Sequence, residues 1–124
     1  KALETRYSKK EVLTYYGDTT SEEREAAITR FQSGDAKFFV ANARTGGFGL
    51  TLTKSHTVVY YSNDYNLETR LQSEDRCHRI GQNFPVTYID LVCPGTVDEK
   101  IMQALRQKLS LSREVLGDAW REWF

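Results

Sequence analysis

EVLTYYGDTTSEEREAAITRFQSGDAKFFVA, residues 11–41, contains a strand, a helix and a second strand, each closed by its own punctuation. Residues 11–16 (EVLTYY) are rich in β-branched and aromatic side chains and stop at Gly17, as a strand does. Thr20 stands three residues before Glu23, the spacing at which a hydroxyl and a carboxylate cap each other's backbone N–H groups. The spacing predicts a helix over 21–32 with Ala27, Ile28 and Phe31 on one face, ended by Gly34. A second strand follows at 37–41.

Outward from this unit the alternation continues. Residues 42–53 (NARTGGFGLTLT) hold three glycines in four positions, the composition of a loop whose backbone approaches something closely. A third strand is expected at 57–61, a helix over 67–80 stopped by Gly81, and a fourth strand at 86–92. Thr96 and Glu99 have the spacing of a second capping box. Val97, Ile101, Leu105 and Leu109 recur every four residues as the buried stripe of another helix. Residues 110–124, with Trp120, Trp123 and Phe124, read as helical. Strands separated by helices of this length join by right-handed crossovers into a parallel sheet. The expected fold is therefore α/β, a three-layer sandwich with a mostly parallel sheet, whose ligands sit beyond the carboxyl ends of the strands.

Length and composition narrow the function. A chain of 124 residues can bury one core without disulfides or metals. Its apolar runs are strand-sized, far short of the roughly 20 residues that span a bilayer, so no membrane role is expected. Cys77 and Cys93 form neither a C-x-x-C pair nor part of a histidine cluster, which predicts no metal site and fits an intracellular protein. Seventeen basic residues balance seventeen acidic ones, so any nucleic-acid contact has to be local rather than a general basic footprint.

In the helix expected over 67–80, Gln72, Arg76 and Arg79 fall within roughly a 60° arc at 3.6 residues per turn. The stripe has two readings. It suits a solvated face, with Glu74 and Asp75 as ion-pair partners and Arg79 at the negative end of the helix dipole. The spacing also permits a polyphosphate site, since guanidinium stays charged and offers forked donors to phosphate oxygens. His78 has no partners for a catalytic triad and reads as structural or interdomain. Cys77 reads as a small core residue.

The wording around these arginines adds a resemblance. Residues 72–82 (QSEDRCHRIGQ) closely resemble the sixth helicase motif of SWI/SNF-type superfamily-two ATPases, matching it at Gln72, Asp75, Arg76, Arg79, Ile80, Gly81 and Gln82. Residues 45–52 (TGGFGLTL) look like the family's fifth motif, with Thr51 in place of the usual Asn. Residues 16–31 resemble its Asp-Gly-Ser-Thr segment and Glu-Arg helix, with Tyr16 replacing the Asp. Residues 95–101 (GTVDEKI) resemble the segment after the sixth motif. At 64–67, Tyr65 and Leu67 replace the family's Trp and Pro. The likeness covers residues 12–117.

The resemblance implies a RecA-like helicase C-terminal lobe over 1–117, without the family's first strand, and a tail at 118–124. It implies that Arg76 and Arg79 are arginine fingers reaching ATP held with Mg²⁺ mainly by the first lobe. Gly47, Gly49, Gln72 and Gln82 would lie toward the nucleotide. Asn42, Arg44, Thr45 and Gly46, with the backbone up to Gly47, would face double-stranded DNA. No G-x-x-x-x-G-K-[ST] sequence occurs in the 124 residues, and no Asp-Glu pair follows a strand as a Mg²⁺-holding element would, so the partner lobe is expected to supply them. The chain alone is expected to be inactive. An RNA helicase lobe is a second reading, disfavoured by Gln82 and the Gly46-Gly47 pair. A non-catalytic interaction module is a third, disfavoured by the presence of both arginines.

Overall fold

The computed structural model of the chain describes residues 2–42, 44 and 50–117. Its elements run α1 (Ala2–Arg6), β1 (Val12–Tyr15), α2 (Ser21–Ser33), β2 (Phe38–Ala41), β3 (Thr57–Tyr60), α3 (Leu67–Glu74), β4 (Thr87–Asp90) and α4 (Val97–Leu116). The alternation is the one expected, with each strand trimmed by one or two residues at its ends. The tail at 118–124 lies outside the described residues.

The capping box forms as read: Glu23 N donates to Thr20 Oγ1 and Thr20 N donates to Glu23 Oε2. Gly34 closes α2 in the left-handed region, at φ 86°, where a side chain would be strained. Between these caps Ala27 and Phe31 are buried, and Phe31 meets Phe39 of β2 with ring centroids 5.3 Å apart. Such a pair is worth about 1 kcal/mol beyond its burial. Leu13, Tyr15, Leu50, Leu52 and Cys77 complete this core. The chain on both sides of β3 is thereby drawn toward the first strand–helix–strand unit.

All pairings are parallel, as expected, but they fall in two pairs rather than one continuous sheet. β1 pairs with β2 from Val12↔Phe38 to Tyr15↔Ala41, and β3 pairs with β4 from Thr57↔Thr87 to Tyr60↔Asp90. β2 and β3 do not hydrogen-bond to each other. Residues of both strands line a cleft of about 850 Å³ that also reaches Leu50, Leu52, Arg76 and Cys77. Each strand therefore keeps one edge of backbone donors and acceptors without a ladder partner.

Two helical expectations need correction. α3 stops at Glu74 instead of Ile80, because carbonyls beyond it are taken outside the helical ladder: Leu52 N donates to Arg76 O from a distant segment, and Gln82 Nε2 donates to Cys77 O within the turn. Residues 75–82 are consequently a turn, closed by Gly81 at φ 99°. Among the described side chains of α4 Ile101 and Leu105 are the buried ones, while Val97 is exposed. Four residues advance a helix by about 400°, so a strict four-residue stripe drifts about 40° per step and leaves the buried face. The cap differs as well. Thr96 Oγ1 accepts from Asp98 N, and it is Asp98, rather than Glu99, that reaches back, to Cys93 N. Among the described residues no helix is long and apolar enough to cross a membrane.

Candidate functional site

Arg76 and Arg79 sit on the turn that follows α3, not on a helical face, and the turn is held from several sides. Asp75 N donates to Leu71 O, and Glu74 O accepts from Cys77 N, His78 N and the Tyr88 hydroxyl. Cys77 is buried between the two arginines and anchors the turn in the core. Leu52 N–Arg76 O at 2.9 Å ties the turn to the segment that leaves the glycine loop. The side chain of Arg79 repeats the tie, donating from Nη1 to Thr51 Oγ1 at 3.1 Å. Thr51, the residue that departs from the family's Asn, thus has a partner of its own.

The two guanidinium groups differ in environment. Arg79 is exposed. Arg76 is half-buried in the cleft, and burial pulls its pKa below the ordinary arginine range, with Tyr15 and Tyr60 acting weakly in the other direction. Its Nη1 is shielded from solvent and has no hydrogen-bond partner among the described residues. A desolvated cation with an unused donor is costly, and an anionic acceptor is the partner that offsets the cost.

The other predicted residues separate into groups. Gln72 is exposed on α3 and donates to Glu68 Oε1 at 2.9 Å. Gln82 is part-buried and its amide is fully engaged: Nε2 reaches the carbonyls of Thr53, Ser55 and Cys77, and Oε1 accepts from Phe84 N. Its side chain staples the turn to the segment before β3. Asn42 and Arg44 follow the carboxyl end of β2, and Asn42 Oδ1 accepts from Arg44 N. Arg44 Nη2 bonds Asp64 Oδ2 at 2.8 Å with 72% of its side chain exposed, so the pair is worth well under 1 kcal/mol and yields readily to another anion. Asn66 N, then Arg44, hold the Asp64 carboxyl below its usual range. Thr45, Gly46, Gly47 and Gly49 lie outside the described residues.

Sequence reasoning missed the group centred on Arg70. Arg70 Nε meets Glu74 Oε1 at 2.7 Å, Nη1 meets Asn63 Oδ1 at 2.8 Å, and Nη1 and Nη2 both engage Asp90. Its guanidinium carbon lies 3.6 Å from the centroid of the Tyr60 ring. Burial pulls the Arg70 pKa down, but the hydrogen bonds to Asp90 and Glu74 more than offset this. At Asp90 burial pushes the carboxyl up and the bonds from Arg70 and Asn63 prevail, leaving it below its ordinary value. Burial also raises the Tyr60 hydroxyl to about 12, against its bond to Ser73. The i,i+4 spacing of Arg70 and Glu74 was a readable signal. Asp90, on another element, was not.

Burial pushes the Cys77 thiol above its ordinary range, a bond to Ser55 and the charge of Arg76 opposing it more weakly. A thiol without thiolate character reacts slowly. In folded protein at neutral pH, Ellman's reagent should titrate exposed Cys93 rapidly and Cys77 only after denaturant is added. Two fast thiols would contradict the buried placement of the turn.

The sequence matches the helicase conserved C-terminal domain family over residues 1–81. Chromatin-remodeling ATPase INO80 of Homo sapiens is 35% identical over 112 residues, which are 90% of this chain and 7% of that protein. ISWI chromatin-remodeling complex ATPase ISW1 of Saccharomyces cerevisiae is 41% identical over 102 residues, 81% of this chain and 9% of that protein. The crystal structure of the C-terminal part of the Fun30 ATPase domain superposes with a TM-score of 0.74 at 28% identity, over 84% of this chain and 33% of that one.

Proposed function

The chain belongs to the helicase conserved C-terminal domain family, in its SWI/SNF-type ATPase branch with a RecA-like fold, and on that premise we propose that it is the second motor lobe of an intracellular double-stranded-DNA translocase. In this reading residues 1–117 are the lobe without its first strand, and the cleft between the unpaired edges of β2 and β3 supports that reading. Arg76 and Arg79 neutralise charge on the phosphoryl group of ATP bound with Mg²⁺ on the first lobe. The observation that carries the proposal is the orphaned, desolvated Nη1 of Arg76 on the same short turn as exposed Arg79. Two guanidinium groups on one anchored turn suit a polyphosphate better than they suit solvent. Gln82 supports the fingers by stapling the turn, and its engaged amide leaves nucleotide contact to the arginines.

DNA contact in this reading falls to Asn42 and Arg44 with the backbone of Thr45 and Gly46, at the carboxyl end of β2. Arg44 exchanges Asp64 for a phosphate, a swap of two exposed ion pairs that costs little. Phosphate contacts carry no sequence information and weaken with salt. In the parent protein, Arg44→Ala should lower affinity about equally for unrelated DNA sequences and flatten the salt dependence by roughly one phosphate's worth. Binding measured by fluorescence anisotropy across a salt series tests this. An unchanged slope would place the DNA elsewhere.

A further inference from the structure

The group centred on Arg70 lies directly upstream of the finger turn and joins three elements. Arg70 is on α3, Asp90 ends β4, and Asn63 follows β3. Only 12% of the Arg70 side chain and 20% of that of Asp90 is exposed. Asn63 closes the triangle by donating from Nδ2 to Asp90 Oδ1 at 2.8 Å, and the Arg70 guanidinium lies over the Tyr60 ring. A fork that grips one carboxylate with two nitrogens fixes direction as well as distance, which a point charge does not. On its remaining side the fork holds Glu74. The carbonyl of that residue is where the chain leaves the helix, accepting from Cys77 N, His78 N and the Tyr88 hydroxyl. Arg76 follows two residues later.

An arginine that acts on a transition state is sensitive to where its turn departs from the helix, because a misplacement of about 1 Å can cost on the order of 10² in rate. α3 is short and exposed along Gln72 and Glu68, and Leu71 is its one buried residue. Apolar packing alone therefore fixes its tilt poorly. We propose that Arg70, through its bidentate grip on Asp90, is a positioning residue that sets the end of α3 and with it the aim of Arg76 and Arg79. The inference rests on the finger reading given above. Buried charge retained at such a junction serves geometry, since an apolar replacement of similar shape could stabilise the fold as well.

The test is a cycle of variants in the parent protein, read by DNA-stimulated ATP hydrolysis. Arg70→Met is expected to lower kcat about tenfold with the KM for ATP within about threefold, and Arg70→Lys to recover little, because an ammonium cannot fork across Asp90. In an Arg79→Ala background, Arg70→Met should change kcat by less than about twofold, since two fingers that act as a unit leave little for a positioning residue to alter once one of them is gone. Asp90→Asn should lower kcat in the otherwise wild-type protein as Arg70→Met does, and should be as silent as Arg70→Met in the Arg79→Ala background. Val12→Ala in β1, which lowers the unfolding midpoint without touching α3, should leave kcat unchanged. Arg70→Met lowering kcat as much in the Arg79→Ala background as in wild type would make the group merely structural and overturn the proposal. So would wild-type kcat in folded Arg70→Met or Arg70→Lys protein. If Arg79→Ala alone stays within about threefold of wild type, the finger reading itself fails, a result distinguishable from the others.

Discussion

Arg79→Ala in the parent protein should reduce DNA-stimulated ATP hydrolysis by on the order of 10³ or more while ATP binding stays within about threefold. The magnitude follows from what the side chain does in each state. Among the described residues its side chain bonds Thr51 Oγ1 on an exposed surface, a contact worth about 1 kcal/mol or less and available to water in its absence. Losing that contact cannot account for a thousandfold effect, which corresponds to about 4 kcal/mol. Only charge stabilisation realised in the transition state is of that size. Arg79→Lys should rescue little, because a point charge does not reproduce the fork. Steady-state rates beside nucleotide-binding affinities separate the alternatives: a loss confined to kcat supports the finger, and an alanine variant within about threefold of wild type makes Arg79 a surface residue.

The alternation of strands and helices was legible because each local signal was redundant. Thr20, Glu23 and Gly34 punctuate α2, and Ala27 and Phe31 supply its buried face, so no distant contact was needed to place it. The helix over 67–80 failed for the opposite reason. No cap is legible before Gly81, yet Leu52 N captures the carbonyl of Arg76 from elsewhere in the chain, and Gln82 Nε2 takes that of Cys77 from within the turn itself. Tertiary hydrogen bonds of this kind override propensity and leave no periodic trace. The same capture converts an arginine stripe into an anchored turn, so the two arginines stay neighbours for a different reason than spacing suggested.

At the candidate site the motif wording located Arg76 and Arg79 but not their environments. The orphaned nitrogen of Arg76 lies in a cleft lined from several elements, Tyr60 and Cys77 among them, which no local pattern announces. Gln82, expected beside the nucleotide, is occupied by three carbonyls that share no pattern in sequence. Arg44 was read as a phosphate contact, and its resting partner Asp64, twenty residues away, appears only in three dimensions. The continuity of the sheet was also illegible, because strand order is not written in strand composition. Each strand was recognisable alone, but the open edges of β2 and β3 were not.

The largest effect of all is expected between the chain alone and the chain joined to a first lobe of the kind proposed. Its 124 residues contain no phosphate-cradling G-x-x-x-x-G-K-[ST] sequence, and their one Asp-Glu pair, Asp98-Glu99, lies in the first turn of α4 rather than at the end of a strand. Positioning and electrostatic stabilisation of phosphoryl transfer need that cradle and its metal before fingers contribute anything. Free arginines in solution meet ATP without hydrolysing it, and two arginines on a turn add only weak affinity. The direct measurement is therefore steady-state ATP hydrolysis, with and without duplex DNA, by the lone chain and by the same chain joined to a first lobe carrying both elements. The account predicts background rates for the lone chain under every condition and DNA-stimulated turnover of about 1 s⁻¹ or more for the joined protein. Turnover of that order by the purified lone chain, abolished by Arg76→Ala and so not a contaminant, would contradict the claim that this is half of a motor.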